Sequence, residues 1–163
     1  MSFRPGRFAV IATVSTVLAL LITAFLLFRP PPKSADIAMP PPEASPEAVV
    51  TTFLDAVNAH DCETAEALAA EGSTEDVAGR CDDVESLTDV VVDQHVSESP
   101  MAHGLSATDE VVVVPVWLTV NWRPYRGGGV LGTGAVSWAY HLTRASTTAP
   151  WRIFDQGPTE PRA

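Results

Sequence analysis

Apolar and polar positions change period twice along this chain, and the changes divide it. From Phe8 to Phe28, in FAVIATVSTVLALLITAFLLF, no charged residue occurs for 21 positions. A helix of that length rises about 30 Å, enough to cross a bilayer core. From Pro46 the pattern is amphipathic: Val49, Val50, Phe53, Leu54 and Val57 fall on one stripe, with Thr51, Asp55 and Asn58 opposite. Ser45 as N-cap, Pro46 at the first helical position and Glu47 in the first turn predict a helix ending near Ala59. Asp61 is placed to cap a second helix over Cys62 to Ala70, ended by Gly72, and Ser73 with Asp76 to cap a short third one.

Beyond Arg80 the period shortens to two. Strands are expected over Ser86 to Val96, Glu110 to Trp122, Gly134 to Arg144 and WRIFDQ, with a loop around Pro100 and Gly104 and a glycine-rich hairpin connection at Arg126 to Gly129. In the long strand Val112, Val114, Val116, Leu118, Val120 and Trp122 share one face, and Val111, Val113, Pro115, Trp117, Thr119 and Asn121 the other. Helices first and an antiparallel meander after them predict an α+β domain with the helices packed on one face of the sheet.

Six prolines between Pro30 and Pro42 separate the apolar segment from this domain. At about 3.1 Å per residue such a run is a semi-rigid spacer that could hold the domain up to about 50 Å away. The expected organisation is a tail over 1–7, a transmembrane helix over 8–28, a proline-rich spacer over 29–45, a domain over 46–158 and a tail over 159–163. The apolar run exceeds the length of a signal peptide's, and Leu26, Leu27, Phe28 and Arg29 occupy the place of a cleavage site. Flanking Arg4, Arg7, Arg29 and Lys33 are nearly balanced, so the short amino-terminal tail is expected to stay cytoplasmic and the domain to lie outside.

Charge narrows the partners. Between Asp36 and Glu110 there are 18 acidic residues against Arg80 alone. Nucleic acid is a poor partner for such a surface, because phosphate binding needs clustered Lys and Arg. Cys62 and Cys81 are the only cysteines, and outside the cytoplasm they are expected to form a disulfide.

His60, Asp61 and Cys62 stand side by side, like the members of a thiol-enzyme site. Residues two apart on a helix point about 200° apart, so His60 cannot serve Cys62 as a base there. The expected roles are separate: His60 ends a helix, Asp61 caps the next and Cys62 joins Cys81. The four histidines, at 60, 95, 103 and 141, have no short ligand spacing, and no metal or cofactor site is expected from it. Asp82, Asp83 and Glu85 lack a calcium-loop pattern, and the glycines at 127–129 lack the lysine of a phosphate loop. Gly104-Leu105-Ser106 is not completed as a nucleophile elbow.

The order PEAVVTTFLDAVNAHD, a second short helix and a meander ending in WRIFDQGP resembles the nuclear transport factor 2-like superfamily. It is most similar to actinobacterial members with a single span and a proline-rich spacer. The resemblance implies a cone, with helices wrapped on a curved sheet around a cavity lined here by Phe53, Trp122, Trp138 and Tyr140. It also implies dimerisation through the sheet's outer face, which makes Trp117 a candidate partner contact. Catalytic members use an acid or His with a Tyr or Asp in the cavity, and Tyr140, Asp155, His141 and His95 are this chain's candidates. Tyr140 and His141 cannot share a strand face. The expected function is therefore a non-catalytic, membrane-anchored interaction domain outside the cytoplasm, serving an envelope protein complex or a homodimer. The alternatives are a carrier or sensor for a small apolar ligand and, behind that, an isomerase or hydrolase.

Overall fold

The structure, a computed structural model, describes residues 17–23, 25, 29, 31–124 and 133–159. Met1–Pro30 and Pro31–Ala163 form two separate compact units. In the first, residues 17–23 are helical. The expected span over 8–28 lies largely outside the described residues, and among these no helix is long and apolar enough to cross a membrane. The tail over 1–7, most of the tail over 159–163 and the hairpin glycines at 127–129 also lie outside them.

The second unit is α+β. Helices α1 (Pro46–Asn58), α2 (Cys62–Leu68) and α3 (Thr74–Ala78) precede strands β1 (Val84–Val92), β2 (Val96–Glu98), β3 (Glu110–Trp122), β4 (Gly134–Arg144) and β5 (Arg152–Pro158). The sheet is antiparallel throughout, in the order β1-β3-β4-β5. The short β2 shares β3 with β1, pairing Val96 to Glu98 with Val113 to Val111.

The stripe expected on α1 is the stripe that is buried: Val49, Val50, Phe53, Leu54 and Val57 all enter the core. Ser45 accepts a hydrogen bond from the Ala48 amide at 3.3 Å. On β3, Val112, Val114, Val116, Leu118 and Val120 meet them from the sheet. Both layers are largely apolar, so each buries its surface against the other.

The α1–α2 corner is a Schellman turn. The His60 amide donates to Val57 O and the Asp61 amide to Ala56 O, with His60 in the left-handed region at φ 56°. Asp61 then caps α2, accepting from the Thr64 amide at 3.3 Å and the Thr64 hydroxyl at 2.9 Å. Cys62 is bonded to Cys81, Cα to Cα 5.7 Å. Each of the three adjacent residues thus has its own structural role.

Three boundaries differ from expectation. Helix α2 stops at Leu68 because Ala69 is extended and bridges Ile153 in parallel, while the Ala70 amide donates to Ile153 O at 2.7 Å. The strand expected over Ser86 to Val96 is two strands, with a register shift at Asp89, whose φ is 53°. An aspartate tolerates that conformation better than the valines around it. The loop around Pro100 contains a 3-10 turn, Pro100–His103, closed by Gly104 at φ 70°.

Part of the region expected as a spacer, 29–45, is in contact with the domain. Residues 33–37 lie against the domain: the Ser34 amide donates to Ala59 O at 2.8 Å, the Ile37 amide to Asp61 Oδ2 at 2.9 Å, and Lys33 Nζ sits 2.9 Å from Asp61 Oδ1. Ile37 also packs on the core. The docking follows from Asp61, the one buried charged side chain among the described residues: Thr64 gives each of its oxygens one hydrogen bond but leaves its charge uncompensated, and the arriving segment adds the Ile37 amide to one oxygen and the Lys33 ammonium to the other.

The Ile37 amide, then the Lys33 ammonium and Thr64, hold the Asp61 carboxyl far below the usual carboxylate range against the opposing effect of its burial. Lys33, bonded to Asp36 and Asp61, is raised to about 12. Burial alone would raise Glu47, yet hydrogen bonds from the His95 amide at 2.9 Å and from its ring at 2.6 Å bring it to about 2.

Two predictions follow from these restraints. In the unfolded chain carboxylates take up protons near pH 4, whereas folded Glu47 resists to about pH 2 and folded Asp61 is likewise held well below the usual carboxylate range. Stability present above pH 4 should therefore fall between pH 4 and 2. Asp61→Asn should flatten that fall and lower the melting temperature at neutral pH more than Asp36→Asn does; equal effects in a pH series of melting curves would remove the clasp. Replacing Cys62 and Cys81 together by serine opens a loop of about 20 residues and should cost about 3 kcal/mol in denaturant unfolding. A loss below about 1 kcal/mol would show that the bridge constrains little.

Candidate functional site

Between the helices and the inner face of the sheet lies a half-open hollow of about 80 Å³. Phe53 from α1, Trp122 from β3, and Trp138 and Tyr140 from β4 are among the residues that line it. The alternation of β3 and β4 turns Trp122, Trp138 and Tyr140 inward, and Phe53 faces the same space from α1. The ring of Phe53 meets that of Tyr140 edge-on, centroids 5.4 Å apart.

Besides the Tyr140 phenol, the side chains with polar groups that line the hollow include Gln156, Arg80, Trp122 and Trp138. Trp138 Nε1 donates to Gln156 Oε1 at 3.2 Å, and Gln156 Nε2 donates to the carbonyls of Asp76 and Val77, both at 2.8 Å. Gln156 thereby ties β5 to α3 and fixes the Trp138 indole. The Arg80 guanidinium stacks on Trp122, 4.8 Å from the ring centroid. Trp122 Nε1 is buried without a hydrogen-bond partner among the described residues.

Among the described residues no carboxylate and no imidazole lines the hollow. Tyr140 lines it, and burial pushes its phenol up, so the hydroxyl stays protonated at every physiological pH. The other candidates for acid or base are elsewhere. Asp155 is exposed and accepts from the Gln156 amide. His95 binds Glu47, and His141 stands on the opposite face of the sheet, beside Glu98 and His103. The alternation that turns Tyr140 inward turns its neighbour outward. The four residues do not converge on one reacting centre.

That outer face carries the second candidate site. Trp117 is 42% exposed, and its cross-strand partner Val91 is 54% exposed. Val96, paired with Val113, extends the apolar surface along β3. Trp117 was evident from strand parity, but Val91 and Val96 were not, since the shift at Asp89 sets which β1 residue stands beside the tryptophan. The Glu98, His103 and His141 grouping also escaped sequence reasoning: its members come from β2, the 3-10 turn and β4, with 43 positions between the first and the last.

A hollow bounded by rigid side chains should accept added volume. Val120→Ile places one more methylene at its wall, and calorimetry should show stabilisation of up to about 1 kcal/mol. A loss of 1–3 kcal/mol, typical of overpacking, would mean that the gap is already filled.

Compared with known proteins, the chain matches no family model, no curated protein and no solved structure.

Proposed function

We propose that this chain is a single-pass membrane protein that presents a non-catalytic domain outside the cytoplasm, as an accessory or scaffold of an envelope protein complex. The observation that carries the reading is the exposed pair Trp117 and Val91 on the sheet face that the helices leave bare. A half-exposed tryptophan beside an exposed valine favours a protein contact, because aromatic anchors concentrate binding energy at interfaces. The hollow supports the non-catalytic part: among the described residues its lining offers a buried phenol and an arginine, and no carboxylate or imidazole to move a proton. The uncharged run from Phe8 to Phe28 supports the anchor. Under this reading the domain is a cone of the nuclear transport factor 2-like type, supported by helices packed on one face of an antiparallel sheet.

A second reading, a carrier for a small apolar ligand, draws on the apolar lining of the hollow. At about 80 Å³ it is well short of the roughly 300–1,000 Å³ that drug-sized ligands occupy. Only a very small guest fits without expansion.

The test is cross-linking and native mass spectrometry of the full chain drawn gently from its own membranes. We expect a partner protein or a second copy attached through position 117. Trp117→Ala should weaken that association about thirty-fold or more, the scale of a buried aromatic anchor, with no change in melting temperature. A chain that runs as a bare monomer, or an association indifferent to Trp117→Ala, would overturn the contact. A small added mass lost on activation would transfer the function to the hollow.

A further inference from the structure

The outer face holds a second grouping that the interaction reading does not use. Glu98 on β2, His103 at the end of the 3-10 turn and His141 on β4 each bring a ligand atom within 4.8 Å of the others. All three are half-buried. His103 Nε2 lies 2.7 Å from Glu98 Oε2, a hydrogen bond, and His141 Nδ1 lies 3.4 Å from the same oxygen. The latter approach is not aligned as a hydrogen bond: His141 Nδ1 is buried and without a partner among the described residues. A ring nitrogen cut off from water and from any partner is costly, and such atoms are rare in folded proteins.

The surroundings hold both rings in place. The His103 and His141 centroids are 5.3 Å apart, and Phe154 packs against them at 5.4 and 6.1 Å. Two imidazoles and one carboxylate, converging over an apolar floor, are the donor set of a zinc-class dication. Oxygen-seeking calcium or magnesium would not be drawn to two ring nitrogens.

We propose that Glu98, His103 and His141 form a binding site for a zinc-class dication, with water as the fourth ligand from the open side. Tetrahedral zinc with ligands at about 2.0–2.2 Å needs donors roughly 3.4 Å apart. The His141 to Glu98 distance of 3.4 Å already meets this. The His103 to Glu98 distance of 2.7 Å is that of a pair sharing a proton. Zinc replaces that proton, and the two donors then separate by about 0.7 Å. His103 belongs to a turn with an exposed neighbour, Met101, and a left-handed glycine after it, so the adjustment falls on the least constrained of the three.

The full chain, stripped of metal in detergent, would be titrated with zinc chloride by calorimetry and with cobalt by visible absorption. We expect one zinc per chain and an intense tetrahedral cobalt spectrum. His103→Ala and Glu98→Gln should each lower zinc affinity tenfold or more, while the metal-free melting temperature changes little. His141→Ala should do the same; were it to unfold the domain, the two other variants still decide. Absence of stoichiometric zinc binding, or binding that persists unchanged in His103→Ala and Glu98→Gln, would overturn the site.

Discussion

The carboxylate of Asp61 is the constraint on which the amino-terminal half of the domain depends. It is buried where α1 turns into α2, and it is shared between the start of α2 and the segment that arrives from the proline-rich region. A buried charge with one unmet oxygen would be expensive. Here each oxygen has partners, so one residue sets the angle of a helix corner and fixes the leading strand of chain against it. The disulfide begins at the next residue and draws Cys81, at the start of a short 3-10 turn over Cys81–Asp83 that follows α3, to the same corner. Cap, ion pair and covalent bond therefore converge on two adjacent residues.

Much of this domain was legible in the sequence where the information is local. The stripe of α1 needs only a period of 3.6, and the bounds of β3 and β4 need only an unbroken period of two. The separate roles of His60, Asp61 and Cys62 followed from cap chemistry and from the count of cysteines. What escaped depends on partners distant in the chain. Helix α2 loses its last residues to a bridge with Ile153, 84 positions beyond Ala69. The docking of Lys33 on Asp61 is written in no local pattern, because a lysine among prolines looks solvated until the acid is known to be buried.

The candidate sites divide the same way. Parity along β3 and β4 sufficed to turn Trp122, Trp138 and Tyr140 toward a common interior and Trp117 away from it. Parity could not show that the interior is nearly filled, since a hollow is the residue of how large rings fail to interlock. Nor could spacing join His103 to His141, because metal-ligand patterns are recognised when the ligands share one element, and these do not. The sheet thus separates two chemistries: an apolar inner layer that supports the fold, and an outer layer whose aromatic and imidazole groups remain available.

The Lys33 clasp has a consequence for reactivity. Lys33 is the only lysine in the chain, and its amine is bound to Asp36 and Asp61 with its proton held to about pH 12. Acylation and imine formation need the unprotonated lone pair. In the folded state this amine is thus a poor nucleophile, and amine-directed reagents would read the loosening of the leading segment directly, with no second side-chain amine to confuse the signal.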